Sequence, residues 1–365
     1  MRVSYVGTLL AALLCCSKDP DQRSDAESGL SASGLPAEAD AGSSADDSDP
    51  SVGPSGSGKL DAPSEGEANT DPSAGEVGNE GCQKVDFLFV IDSSGSMQDE
   101  QQNLANSFPG FIDIIQNTLM AQDYHIMAID TDADGFSICP TLCMFASECQ
   151  GIPCSMIPPS GGCDDTLGAG KTKSPMGMDC GITSGQRYIL DSQPNLYDAF
   201  ACAAQVGTQG SGDEMAIEAM RAAIEPPLNM MGACNEGFVR DDAILVITLI
   251  TDESDLAYGD DAMSETPTPG TPRDWYDAVV SVKRGNPDAA VVLGLVGDTG
   301  QPGGKCQPLE LNTASGAEVA PNLQQFVQLF NANVLGSVCE TDYAPFFESA
   351  VSVISSACDD FEPPA

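Results

Sequence analysis

The heptapeptide Ile91-Asp92-Ser93-Ser94-Gly95-Ser96-Met97 sets a carboxylate and two hydroxyls at alternate positions directly after the apolar run 85–91. All three are hard oxygen donors. Divalent cations such as Mg²⁺, Mn²⁺ and Ca²⁺ take such ligands, and Asp92, Ser94 and Ser96 offer three of them from one tight turn. The turn is expected to need the freedom of Gly95. A structural reading competes, because an Asp or Ser after a strand is also an ordinary helix N-cap or turn residue. Context favours the ion: the motif ends an apolar strand, and open α/β sheets bind ligands at the carboxyl ends of their strands.

The pattern Asp-x-Ser-x-Ser closing a buried strand resembles the metal-ion-dependent adhesion site of the von Willebrand factor type A family. A second match stands 160 residues beyond Asp92, where the apolar run 243–250 leads into Thr251-Asp252-Glu253. It is similar to the strand-Thr-Asp step that brings the family's distant aspartate, although the family usually carries Gly where this chain has Glu253. The resemblance implies one more hydroxyl ligand from a loop before a helix, which falls in segment 206–217. Two residues compete for that role. Ser211 stands at the better distance from the helix, and Thr208 has the expected side chain. Ser211-x-x-Glu214 also reads as a capping box, worth about 1 kcal/mol of helix stability without any ion. The implied ligand set is Asp92, Ser94, Ser96, Ser211 (or Thr208) and Asp252, the last directly or through water. Its implied use is capture of an Asp or Glu carboxylate of a protein partner, in adhesion or assembly.

A weaker acidic pattern, Asp130, Asp132 and Asp134 before Gly135, has the spacing of the first half of a calcium loop. Its second half is missing, since Thr141 stands where a bidentate Glu is needed. A solvated acidic turn competes with a weak accessory ion site.

Positioning these residues requires a sheet. The apolar runs 85–91, 243–250 and 289–296 read as strands buried on both faces, and 125–129 adds a fourth. Leu104, Phe108, Phe111, Ile115 and Leu119 fall at helical spacing, with Pro109 expected to kink or restart that helix. Further helices are expected around Ile217, Met220 and Ile224, over 275–283, over 323–330, and around Phe347, Val351, Ile354 and Cys358. Alternating strands and helices give the fold class: α/β, a doubly wound and mostly parallel sheet with helices on both faces, covering 82–358. A Cys-rich insertion, 136–187, leaves from the carboxyl end of the second strand if that strand is parallel to the first. It is then a disulfide-stapled lip beside the ion. In the related family, cysteines flanking the domain can join at one pole, which implies a Cys82–Cys358 bridge; 359–365 is a tail.

Residues 17–81 are acidic and built from Ser, Gly, Ala and Pro without a single aromatic residue, so they read as a disordered spacer. Met1, Arg2 and the apolar run 3–14 have the form of a secretory signal, 1–16, too short to span a bilayer. Leu13-Leu14-Cys15-Cys16-Ser17 resembles a bacterial lipoprotein cleavage site, with Cys16 the favoured lipid acceptor and Cys15 the alternative. The expected location is the periplasm or cell surface, anchored by lipid to the outer membrane. Cysteine usage agrees, because 14 cysteines less Cys15 and Cys16 leave an even number for disulfides.

The net charge of −41 leaves 40 acids against 10 bases beyond the spacer and signal, with no basic stripe to neutralise phosphates. Nucleic acid is therefore not an expected partner. A Ser-His-Asp triad is not expected either, since the single histidine, His125, opens a strand and the serines follow one. The expected class is a metal-dependent protein-binding module and not an enzyme. A structural envelope domain with a merely stabilising ion is the alternative, and a hydrolase stands third.

Overall fold

The structure, a computed structural model, describes residues 83–117, 121–132, 143, 147–149, 152–156, 162–210, 214–258, 265–310 and 315–364. The signal segment, the spacer, Cys82, Leu119, Asp134 and Ser211 lie outside them. Among the described residues ten strands occur in chain order: β1 (Lys84–Ile91), β2 (Asp123–Asp130), β3 (Glu148–Cys149), β4 (Ile152–Pro153), β5 (Ile189–Leu190), β6 (Ile244–Ile250), β7 (Leu256–Tyr258), β8 (Glu265–Pro267), β9 (Ala290–Val296) and β10 (Asn333–Ser337). Among the described residues six α-helices accompany them: α1 (Gln98–Asn117), α2 (Leu196–Ala204), α3 (Ala216–Ile224), α4 (Pro272–Val282), α5 (Pro321–Gln328) and α6 (Ala344–Asp360).

Six strands form one sheet in the order β10-β9-β6-β1-β2-β5. Every neighbouring pair is parallel except β2 with the short edge strand β5. β3 with β4 and β7 with β8 make separate two-stranded antiparallel pairs. The strand order reverses between β1 and β6, so both of their carboxyl ends open on one crevice.

Alternation along β1 builds two cores, because successive strand side chains face opposite sides. Phe87, Phe89 and Ile91 pack with Phe108, Phe111 and Ile115 of α1, Phe200 of α2 and Phe347 of α6. Leu88 and Val90 pack with Ile217 and Met220 of α3, Trp275 of α4 and Phe326 of α5. Each such side chain taken out of water contributes roughly 1.5–3 kcal/mol. The sheet is therefore covered by helices on both faces, as the two-sided apolar runs required.

Two expectations change, and two short elements are added. α1 runs as one helix through Pro109, held by its buried face of Leu104, Phe108, Phe111 and Ile115, and is not restarted there. α2 and β10, each short, carry no strong signal of their own in the sequence. Ser211 of the expected capping box lies outside the described residues; α3 starts at Ala216 with Met215 as N-cap, and no side chain of that residue caps it. Asp255 does so from the loop after β6, its Oδ1 accepting the Ile217 N–H at 2.8 Å. A carboxylate there also meets the positive end of the helix dipole. α4, by contrast, has a true capping box between Thr271 and Asp274.

The Cys-rich insertion leaves the carboxyl end of β2, which is parallel to β1, so it departs on the expected pole. Among the described residues one bridge, Cys143–Cys154, lies within it. Two others tie it outward, Cys163–Cys234 to the segment before β6 and Cys180–Cys202 to α2. Cys306–Cys339 joins the loops that follow β9 and β10. Cys358 is disulfide-bonded, while Cys82, its expected partner, is outside the described residues. Such a set is compatible with an exported protein. Among the described residues no helix is long and apolar enough to cross a membrane.

Candidate metal centre at the ends of β1 and β6

Main-chain pairing carries the two central strands one residue past their ends. Asp92 N–H donates to Ile250 O at 3.0 Å, and Thr251 N–H donates to Leu295 O at 3.1 Å. Asp92 and Thr251 therefore emerge side by side. The Asp92 side chain is fully buried and held at both oxygens: Oδ1 accepts the Ser94 N–H at 2.7 Å, and Oδ2 accepts the Thr251 hydroxyl at 2.5 Å. The Ser94 and Ser96 hydroxyls lie 3.0 Å apart.

Asp252 completes the cluster from the β6 side. It is fully buried, and neither of its carboxylate oxygens has a hydrogen-bond partner of normal geometry. The Ser96 hydroxyl stands close enough to lower its pKa. The structure thus brings together Asp92, Ser94, Ser96 and Asp252 from the two turns singled out in the sequence.

The third turn is docked by a residue that the motifs did not name. Gln101, in the first turns of α1, donates to both Asp92 O at 2.9 Å and Gly207 O at 2.7 Å, and accepts the Gly207 N–H at 3.2 Å. Three residues on, Gly210 N–H donates to Ser93 O at 3.0 Å. Thr208, half-buried, lies between these two anchors, and Ser211 follows the second but is outside the described residues. Close approach makes Gly210 necessary: a Cβ there would stand 2.2 Å from Ser93 Oγ and 2.7 Å from Asp132 Oδ2. Gly95, expected to be required, has open space around its would-be Cβ and no left-handed φ. The turn keeps its shape through the Asp92–Ser94 hydrogen bond instead.

Glu253, the departure from the family pattern, is accommodated without breaking the loop. Its N–H donates to Thr251 Oγ1 at 3.0 Å, and its Oε2 accepts the Glu214 N–H at 3.3 Å. Glu214 in turn receives the Thr131 hydroxyl. Glu318 clamps the same loop from outside: its N–H donates to Asp252 O at 2.7 Å, and its Oε2 accepts the Ser254 N–H at 3.1 Å and hydroxyl at 2.6 Å.

Electrostatics at this crevice are strained toward a cation. Burial first, and then the neighbouring Asp252 charge, push Asp92 up to about 7. Burial raises Asp252 to about 6, with Glu318 and Asp99 adding to it against the Ser96 hydroxyl. Burial and the charges of Asp92 and Asp252 lift Glu253 to about 9. Glu214 is pushed well above the usual range, by burial and then by Asp92. Buried carboxylates that repel one another in this way are what a bound divalent ion relieves.

Among the described residues no group of three or more His, Cys, Asp or Glu side chains is arranged to hold a metal ion. The cluster described here has a different composition, two carboxylates with serine hydroxyls. The donor set fits a hard divalent cation, because it is all oxygen and both Asp252 carboxylate oxygens are buried without a hydrogen-bond partner of normal geometry.

Elsewhere the acidic pattern after β2 is used internally. Asp130 Oδ1 accepts the Asp132 N–H at 3.1 Å, and Oδ2 faces Lys171 Nζ at 3.4 Å. Both oxygens of Asp130 are thus engaged within the protein, and Asp134, the third member of the acidic pattern, is outside the described residues. His125 is buried near the start of β2, its Nδ1 2.9 Å from Phe238 O and 3.4 Å from Asp86. It belongs to the pole opposite the serines.

Comparison of the chain with protein-family models and with curated proteins found no match.

Proposed function

We propose that this chain is an exported protein-binding module of the von Willebrand factor type A kind, which captures a partner's carboxylate through one divalent cation. The reading rests on one observation above the others. Asp252 is buried with both oxygens unpartnered, beside Ser96 and opposite an Asp92 whose orientation is fixed by Thr251 and Ser94. A side chain left in that state costs on the order of 1–3 kcal/mol or more unless something binds it. The mostly parallel sheet supports the reading as well, since the cluster stands at the reversal of strand order between β1 and β6, where open α/β sheets bind their ligands.

The ligands we assign are Asp92, Ser94, Ser96, Asp252 and a hydroxyl of the 207–211 loop, Ser211 or Thr208. When bound, a divalent cation supplies an open coordination position that an Asp or Glu of the partner can fill. The protein's own part is positional. Thr251 and the Ser94 N–H hold Asp92, Gln101 holds the third loop against it, and the serine hydroxyls donate oxygen without adding charge. Mg²⁺ suits this small shell, and Mn²⁺ and Ca²⁺ are the other candidates.

In this proposal the lipid acceptor is Cys16 or Cys15, and the spacer 17–81 holds the domain away from the outer membrane. A Cys82–Cys358 bridge closes the domain where the spacer meets it. The deciding experiment is affinity capture from envelope extract by the immobilised chain in Mg²⁺, followed by elution with EDTA. Proteins that elute with chelator and are missing from the Asp92→Ala eluate are the expected result. Identical capture by the variant, or capture indifferent to EDTA, would refute the assignment.

A further inference from the structure

The Cys-rich insertion sends one well-formed hairpin to the candidate metal centre. Ser174 N–H donates to Met178 O at 2.8 Å, Gly177 N–H donates to Ser174 O at 2.9 Å, and Ser174 Oγ accepts the Met178 N–H at 3.2 Å. Its base is fixed to the body of the domain. Lys171 N–H reaches Ala128 O of β2 at 2.8 Å, Cys180 N–H reaches Thr172 O at 3.0 Å, and Cys180 is bridged to Cys202 of α2. The tip leans on the third ligand loop, so closely that a Cβ on Gly207 would stand 2.9 Å from Pro175 Cγ. Gly207 is the residue that Gln101 ties to the Asp92 main chain.

This hairpin exposes apolar surface in an acidic neighbourhood. Met176 and Met178 are 41% and 65% exposed. Directly after the Glu318 that clamps Asp252, Val319 is 49% exposed. These three are half of the six large apolar side chains exposed among the described residues, and all three stand on segments that touch the ligand loops. Asp99 and Glu318, both close enough to Asp252 to raise its pKa, are acids, which repel further acids on anything that docks there. Methionine is the side chain best suited to such a face, because its flexible thioether adapts to the apolar group it meets.

We propose that the hairpin is the specificity determinant of this centre, and that its occupant is an extended partner segment carrying a single acidic residue with a large apolar residue close by in sequence. The acid goes to the ion and the apolar side chain to Met176 and Met178. An extended chain advances about 3.3 Å per residue, so the two groups stand a few positions apart at a fixed offset. The inference rests on the carboxylate-capture reading given above, and it deepens that reading by naming the partner's chemistry.

A random-peptide library displayed on phage, selected on the full chain in Mg²⁺ and eluted with EDTA, tests it. The expected peptides share one acid and one large apolar residue at a constant spacing. The double variant Met176→Ser/Met178→Ser should bind a synthetic peptide of that sequence about tenfold more weakly and lose the apolar preference on reselection. Met230→Ser/Met231→Ser, on a pair of methionines elsewhere that is more exposed still, should bind it as the parent does, and Mg²⁺ titration should be unchanged in both. EDTA-eluted peptides with an acid but no apolar position, or the same preference kept by Met176→Ser/Met178→Ser, overturn the role of the hairpin and leave carboxylate capture standing. Absence of any EDTA-dependent selection overturns both.

Discussion

Thr251 donates its hydroxyl to Asp92 Oδ2 at 2.5 Å, joining two residues 159 positions apart in the chain. The same oxygen of Thr251 accepts the Glu253 N–H at 3.0 Å. One threonine thus orients the first aspartate and shapes the loop that carries the second.

Thr251→Val keeps the volume and removes both hydrogen bonds. It leaves a buried carboxylate oxygen and a buried N–H without partners, each worth about 1–3 kcal/mol. Urea unfolding should therefore show a loss of at least about 2 kcal/mol, together with weaker Mg²⁺ binding. A variant as stable as the parent would mean that Asp92 is held by something else.

Acidity should tune the metal-free protein in a defined direction. Asp92 at about 7, Asp252 at about 6 and Glu253 at about 9 all lie above their unfolded values, so the folded state binds more protons than the unfolded one. Their contribution is complete below pH 4 and is lost as pH rises through the folded values. His125, lowered from 6.5 to about 4 by burial, works the other way, but only below its unfolded value. In EDTA the melting temperature should fall steadily from pH 6.5 to 8.5. Bound Mg²⁺ needs the carboxylates ionised, so the gap between the Mg²⁺ and EDTA curves should widen over the same range. A melting temperature in EDTA that rises with pH there would show that these acids are not buried against one another.

Two glycines of the site should behave differently. Gly210→Ala forces a methyl group against Ser93 Oγ and Asp132 Oδ2 and should cost about 1–3 kcal/mol while displacing the third ligand loop. Gly95→Ala meets nothing within 4 Å and should be neutral or slightly stabilising. Equal effects in thermal unfolding would contradict the packing of the loop at Ser93.

Peptide mapping without reduction should recover Cys143–Cys154, Cys163–Cys234, Cys180–Cys202 and Cys306–Cys339. Cys202→Ser, which opens a loop of about 20 residues, should cost about 3 kcal/mol and loosen the hairpin anchored by Cys180. A map in which Cys180 pairs within the insertion would remove the anchor.

How much of this was legible beforehand depended on whether a residue acts locally. The strands β1, β2, β6 and β9 announce themselves as apolar runs because each is buried on two faces, and Asp92, Ser94, Ser96 and Asp252 follow from where those runs end. β10 is short and only half-buried along most of its length, so its pattern is faint. α2 does carry Leu196, Ala199, Phe200 and Ala203 at helical spacing, but over nine residues and with no N-capping side chain. The contacts of Gln101, and of Glu214 with Glu253, were hidden for another reason. Gln101 acts on a main chain 106 residues away and Glu214 on Glu253 across 39, and contacts of that range leave no periodicity or spacing. The dispensability of Gly95 was equally hidden, since only the backbone angle reveals that the turn asks nothing special of it.

The most direct test is calorimetric titration of Mg²⁺ into the metal-stripped full chain. The account predicts a single ion bound per chain, with binding lost in Asp252→Asn and weakened in Ser94→Ala and Ser96→Ala. No detectable binding of Mg²⁺, Mn²⁺ or Ca²⁺, or binding that Asp252→Asn leaves intact, would contradict it.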